Sequence, residues 1–312
     1  MWDCGIRPIR KSRTLKIKPD WNTYLHQLRR REIEIVFGDV PAGAFARGLE
    51  LGAGDGFQSQ LLARYARSLV VTDYYPEILA RANTPTLTHR MCDAEQVGAH
   101  FEPGEFDLIF SSNMMEHLPD LQAALAGMRR VLRDDGIAVH VMPSPFWKLC
   151  QIIGFYPNAV ISRVERYTVP QGNPRPGAPA DQPISAQPPS FAVSGNNPKV
   201  AGRRYSYLHR LLWATPHGVS KGNVAEFAAF RRSRWRRELA AAGFTIAKII
   251  AGPVSSGYGF GWDGLRTFFE RLGATSEYAY VTVKAGAVSP QLAYFRDRLS
   301  QDPKGFWEDV SP

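Results

Sequence analysis

Along this chain, apolar residues recur either at helical spacing or in short unbroken runs, and the two patterns alternate. Residues 21–37 place Tyr24, Leu25, Leu28, Ile33 and Phe37 as the apolar positions of an amphipathic helix, which the segment from Asp39 to Gly43 ends. Leu49 and Leu51 form a strand-like run that enters a glycine turn, and a helical pattern resumes over 57–67. Further β-branched or apolar runs follow at 68–73, 86–92, 105–112, 137–142, 244–251 and 277–284. Helices are predicted between them at 76–82, 121–132 and from near Asn223 to Ala242, where Gly243 supplies a C-cap, with a loop and helix over 253–274. Strands alternating with helices predict an α/β fold with a largely parallel sheet.

The glycine turn reads Glu50-Leu51-Gly52-Ala53-Gly54-Asp55-Gly56. Glycine suits a turn whose backbone angles a Cβ forbids and where a ligand approaches the main chain. The helix that follows offers free N–H groups to polar or anionic ligand atoms. A nicotinamide-binding loop is the competitor, but its G-x-G-x-x-G spacing would need glycine where Phe57 stands. Asp73 ends the next strand about 20 residues on, where a doubly wound fold places the acid that accepts ribose hydroxyls. The alternative is that Asp73 caps the helix at 76–82.

The pattern E-x-G-x-G-x-G resembles motif I of the class I S-adenosylmethionine (SAM) dependent methyltransferases. The strand-loop units ending at Asp73, Asp93 and Ser112 extend the likeness, so that 47–143 resembles a type 11 methyltransferase domain. The resemblance implies a Rossmann-like, seven-stranded doubly wound sheet with strand 7 antiparallel, interrupted by an inserted lid subdomain, and SAM as the cofactor. It implies cofactor contacts from Glu50, Gly52, Ala53, Gly54, Gly56, Asp73, Tyr74, Asp93, Ala94 and Ser112, with Asp93 taking the adenine amino group. Asp93 as a helix cap is compatible with that role. In ubiquinone-pathway O-methyltransferases a similar E-x-x-E-H stretch supplies metal ligands; Asn113 stands at the first position here, so no metal is expected. His117 is a candidate general base, or a residue that shapes the pocket with Glu116; His217, in a Pro-His-Gly turn, is the second candidate.

The expected organisation is an arm and helix at 1–46, the SAM-binding core at 47–143, an insertion at 144–222, the rest of the core at 223–287 and a tail at 288–312. The insertion begins with an aromatic segment (Phe146, Trp147, Phe155, Tyr156), which is either a lid over the site or a helix lying on a membrane surface. A proline-rich loop follows at 170–198, then aromatic residues with Arg203, Arg204 and Arg210 that suit a sugar and its phosphate.

Composition narrows the partners. With 312 residues, 44% of them hydrophobic, the chain can bury a full core. A net charge of +9 favours an anionic partner or acidic surface, although surplus arginine also serves solubility. Three cysteines without a C-x-x-C pair disfavour a disulfide framework. No signal-peptide pattern or membrane-spanning run is present, so a cytoplasmic protein, with peripheral contact to the inner membrane face left open, is expected. Nucleic acid is disfavoured as acceptor: no N/D-P-P-Y/F stretch follows the fourth strand and no Pro-Cys occurs. The reading is methyl transfer to a hydroxyl or amine of a small molecule, sugar or lipid-linked glycan, the insertion resembling those of bacterial polysaccharide methyltransferases. An RNA-directed enzyme and a catalytically silent partner protein are the alternatives.

Overall fold

The computed structural model describes residues 21–75, 87–168, 222–260 and 262–295, with backbone only at 165–168. The 76–82 helix, the proline-rich loop, His217 with the arginines and aromatics around it, the first 20 residues and the end of the tail lie outside the described residues.

Helix α1 (Trp21–Phe37) opens the fold, and the glycine turn joins β1 (Gly48–Leu51) to α2 (Phe57–Leu62). Then come β2 (Leu69–Asp73), β3 (Thr88–Met91), β4 (Phe106–Ser112), α3 (Leu121–Val131) and β5 (Leu132–Pro143). The long helix α4 (Pro145–Thr168) leaves the end of β5. Helices α5 (Asn223–Ala229) and α6 (Arg232–Ala241), strand β6 (Phe244–Ala251), helix α7 (Asp263–Arg271) and strand β7 (Glu277–Lys284) complete it. The sheet order is β3-β2-β1-β4-β5-β7-β6. Strands β1 to β5 pair in parallel, and β7 runs antiparallel to both neighbours, as expected.

Successive strand residues point to opposite faces, so each strand feeds two cores. Val71, Leu108 and Phe110 pack with Phe37 of α1 on one face, while Val70 and Ile109 pack with Trp235 and Leu239 of α6 on the other. Strands covered on both sides explain the near-continuous apolar runs in the sequence.

Three boundaries differ from the sequence pattern. The helix expected from 223 to 242 is broken, because Phe230 is buried against Trp147 (ring centroids 6.0 Å apart) and Arg231 is extended. Helix α2 ends at Leu62, and the chain turns so that Phe45 and Ala66 form a bridge. Strand β5 starts at Leu132 and takes in the expected Asp134-Asp135-Gly136 turn through an irregularity opposite Phe106–Leu108.

Candidate cofactor and methyl-transfer site

The strand order reverses between β1 and β4, and in open α/β sheets ligands bind in the crevice at the carboxyl ends flanking such a point. Gly52 leaves β1 with φ +73°, and an added Cβ would sit 2.7 Å from Met114 Cγ of the loop after β4. The turn is therefore closed to any larger residue. The amides of Gly52 and Ala53 both donate to the Thr72 carbonyl, which ties the turn to β2. Gly54 N–H donates to Asp73 Oδ2 at 2.9 Å and Tyr75 N–H to Oδ1 at 3.1 Å. These two bonds orient the Asp73 carboxylate against the glycine turn.

Glu50 lies beneath the turn, buried, and burial pushes its pKa up to about 8 although Ser59 opposes the shift. Its Oε2 meets no hydrogen-bond donor. An orphaned buried carboxylate oxygen beneath a glycine cradle fits a site built for a polar ligand. Asp93 caps the turn at Ala94–Gln96 by accepting from Glu95 N–H at 2.9 Å, and Ala94 is buried beside it. Tyr74 is half exposed beside Asp73. The sequence-chosen cofactor residues thus stand together at the ends of β1, β2, β3 and β4.

Ser112 leads to residues the sequence reading did not select. Its hydroxyl accepts from Arg29 Nη1 of α1 at 2.9 Å and from Asn113 Nδ2 at 3.1 Å. Arg29 also pairs with the fully buried Glu32 at 2.6 Å, whose other oxygen accepts from Gln58 of α2 at 2.7 Å. His26 meets Asp55 at 2.6 Å and stacks on Phe57 with ring centroids 4.0 Å apart. Helix α1 is thereby fastened over the glycine loop. A buried charged residue on an apolar helix face was the available signal, since Glu32 lies one residue before Ile33 and four after Leu28.

The loop after β4 carries Asn113 at φ 48°, the one non-glycine positive φ among the described residues, in a conformation asparagine tolerates best. Glu116 and His117 follow. The His117 ring is partly buried, 3.8 Å from the Glu116 carboxylate, and burial lowers its pKa to about 4. It is neutral at physiological pH and therefore open to a proton, but weakly basic. Burial raises Glu116 to about 7, against the pull of its own amide and of Arg29. Among the described residues no three His, Cys, Asp or Glu side chains gather as a metal site.

Residues 49–140 match the family model described as a methyltransferase domain. A ubiquinone biosynthesis O-methyltransferase of Xanthomonas euvesicatoria pv. vesicatoria is 30% identical over 118 residues, 36% of this chain and 48% of that protein. Its counterpart in Xanthomonas axonopodis pv. citri is 30% identical over 119 residues, with the same shares covered. The chain spans about half the length of the curated relatives it matches. A putative SAM-dependent methyltransferase structure from Listeria monocytogenes aligns at 13% identity and a TM-score of 0.46, over 82% of this chain and 97% of that one. Matched family model, sheet order and glycine cradle agree: residues 49–140 are a class I methyltransferase domain, of the kind whose cofactor is SAM.

Proposed function

We propose that this protein is a methyltransferase that moves the SAM methyl group to a hydroxyl or amine of a small-molecule, sugar or lipid-linked acceptor. The observation that supports the reading is the Gly54–Asp73 contact at the β1/β4 crevice, which sets an acid at the end of β2 against a glycine turn. SAM supplies an electrophilic methyl on a sulfonium, open to in-line attack. Asp73 would accept the ribose hydroxyls, Asp93 and Ala94 would read the adenine edge, and Glu50 would brace the turn. Ser112, held by Arg29, would border the reacting end. The chain's contribution is position, exclusion of water and removal of a proton.

His117 and His217 remain the proposed bases. Oxygen as the accepting atom draws support from the relatives named O-methyltransferases. A lid role for 144–222 draws support from α4, whose Lys148 forms a fully buried pair with Glu226 of α5 at 2.5 Å. Its Ile153, Tyr156 and Val160 are exposed, which equally suits contact with a membrane surface; no helix among the described residues is long and apolar enough to cross one. The test is release of S-adenosylhomocysteine (SAH) from SAM in the presence of phenols, nucleotide-linked sugars and lipid-linked sugars. Acceptor-dependent release that falls in His117→Gln supports the reading. SAM binding without turnover on any acceptor class would point to the silent partner role.

A further inference from the structure

A surface helix of a globular protein turns its apolar stripe to the core and its polar side to water. Helix α7 does the reverse. None of its residues is buried. Its inward contacts come largely from polar groups. The Arg266 guanidinium lies over the Tyr24 ring, and Glu270 pairs with Arg31 at 2.6 Å and accepts from Val254 N–H at 2.9 Å. Phe269 adds an apolar contact to Phe146 of α4. Leu265, Phe268 and Leu272, the residue that caps the helix, are 49%, 56% and 54% exposed. Spaced three and four residues apart, they form one outward stripe.

The surroundings extend that stripe and charge it. Trp262, at the other end of the helix, is half exposed and stacks on Phe260 with ring centroids 4.3 Å apart. Phe260 also closes on Gly154 of α4, next to the exposed Ile153, so α4 borders the stripe there. The exposed acid of α7, Asp263, is taken up by Arg266, while Arg271 stands exposed at the far end. Residues 1–20 carry Arg7, Arg10, Lys11, Arg13, Lys16 and Lys18 against Asp3 and Asp20. They enter the fold at Trp21, whose ring is 3.3 Å from where a Cβ on Gly259 would sit, close to Trp262. Helix α7 connects the end of β6 to the start of β7, and Glu277 there pairs with the last residue of β5. It therefore lies at the carboxyl edge of the sheet, the edge that carries the glycine turn.

We propose that α7 seats this protein on an anionic lipid bilayer. Leu265, Phe268 and Leu272 enter the acyl boundary, Trp262 sits at headgroup level, and the basic groups face the lipid phosphates. Apolar burial and attraction to acidic lipid are each modest for so short a helix and add to a stable contact. A second copy fits less well. A stable interface takes about 800 Å² from each partner, which one short stripe does not supply, and two chains of net charge +9 repel each other. The docking stands apart from the methyl-transfer reading. It favours the lipid-linked class among the acceptors proposed above, and that step alone rests on the reading.

The test is co-sedimentation of the full chain with vesicles of phosphatidylcholine, with and without phosphatidylglycerol. The wild type should bind the acidic vesicles more tightly, and added salt should weaken that binding. Phe268→Ser combined with Leu272→Ser should lower affinity for the acidic vesicles by about tenfold or more. Both side chains are already half exposed, so Tm should hold and SAH affinity stay within about twofold. A wild type that binds neither vesicle would overturn the inference. Vesicle binding that the double variant fully retains would do the same, assigning it to charge elsewhere on the chain. Self-association that the double variant abolishes, without vesicle binding, would overturn it in favour of a second copy. Vesicle binding as expected in a protein that binds no SAH would uphold the docking and refute the methyl-transfer reading.

Discussion

Replacing Arg29 with methionine tests whether α1 is fastened over a dry pocket. The guanidinium is 15% exposed and pairs with Glu32, which is 0% exposed, at 2.6 Å. It also donates to Ser112 at 2.9 Å. Methionine keeps much of the volume and removes the charge. Glu32 would then keep only the Gln58 amide while facing the Glu277 carboxyl. Breaking one side of a buried ion pair costs about 3–5 kcal/mol, because the stranded charge keeps its desolvation penalty. At about 2–4 °C per kcal/mol for a domain of this size, Tm should fall by roughly 6–20 °C. Adding Glu32→Gln removes the stranded charge and should recover most of the loss, so the double variant is more stable than Arg29→Met alone. Urea unfolding of the four species reads the cycle directly. An Arg29→Met variant within about 1 kcal/mol of wild type would refute the reasoning, since only a hydrated pair behaves that way.

Three further outcomes follow from the geometry. Gly52→Ala should weaken SAM binding far more than it lowers Tm, because the residue is at φ +73° and its Cβ would meet Met114 at 2.7 Å; titration with SAH and a melt separate the two effects. Glu50 and Glu116 have folded-state pKa values raised to about 8 and about 7, so folding favours their neutral forms. Their stability contribution is full below the ordinary carboxyl range and is lost as pH rises toward 8; Glu50→Gln should flatten the decline of Tm between pH 5 and 8 that the ligand-free protein shows. Lys148→Met should destabilise by about 3–5 kcal/mol by stranding Glu226, and Lys148→Met with Glu226→Leu should restore stability, measured by chemical unfolding.

The sequence disclosed the sheet and the glycine turn because their signals are local. A strand buried on both faces writes a continuous apolar run, and residues 244–251 and 277–284 match β6 and β7 to the residue. The glycines and Asp73 are legible for the same reason: spacing along one crossover fixes their meeting. Arg29 and Glu277 are not legible, because they meet over a separation of 248 positions through the packing of α1 on the end of β7, which no local pattern encodes. Glu32 was hidden by its charge, which reads as a solvated helix position until Arg29 and Gln58 enclose it. The break at Phe230 was equally concealed, since helix propensity runs on through Arg231 and only burial against Trp147 stops it.

The central claim is that the β1/β4 crevice holds SAM through Asp73. Calorimetric titration of SAM into wild type and Asp73→Ala tests it most directly. The account predicts micromolar binding to the wild type and a loss of at least about 100-fold in the variant, from two charge-assisted bonds to the ribose. Wild-type affinity retained by Asp73→Ala, or a wild type that binds no SAM, would contradict it.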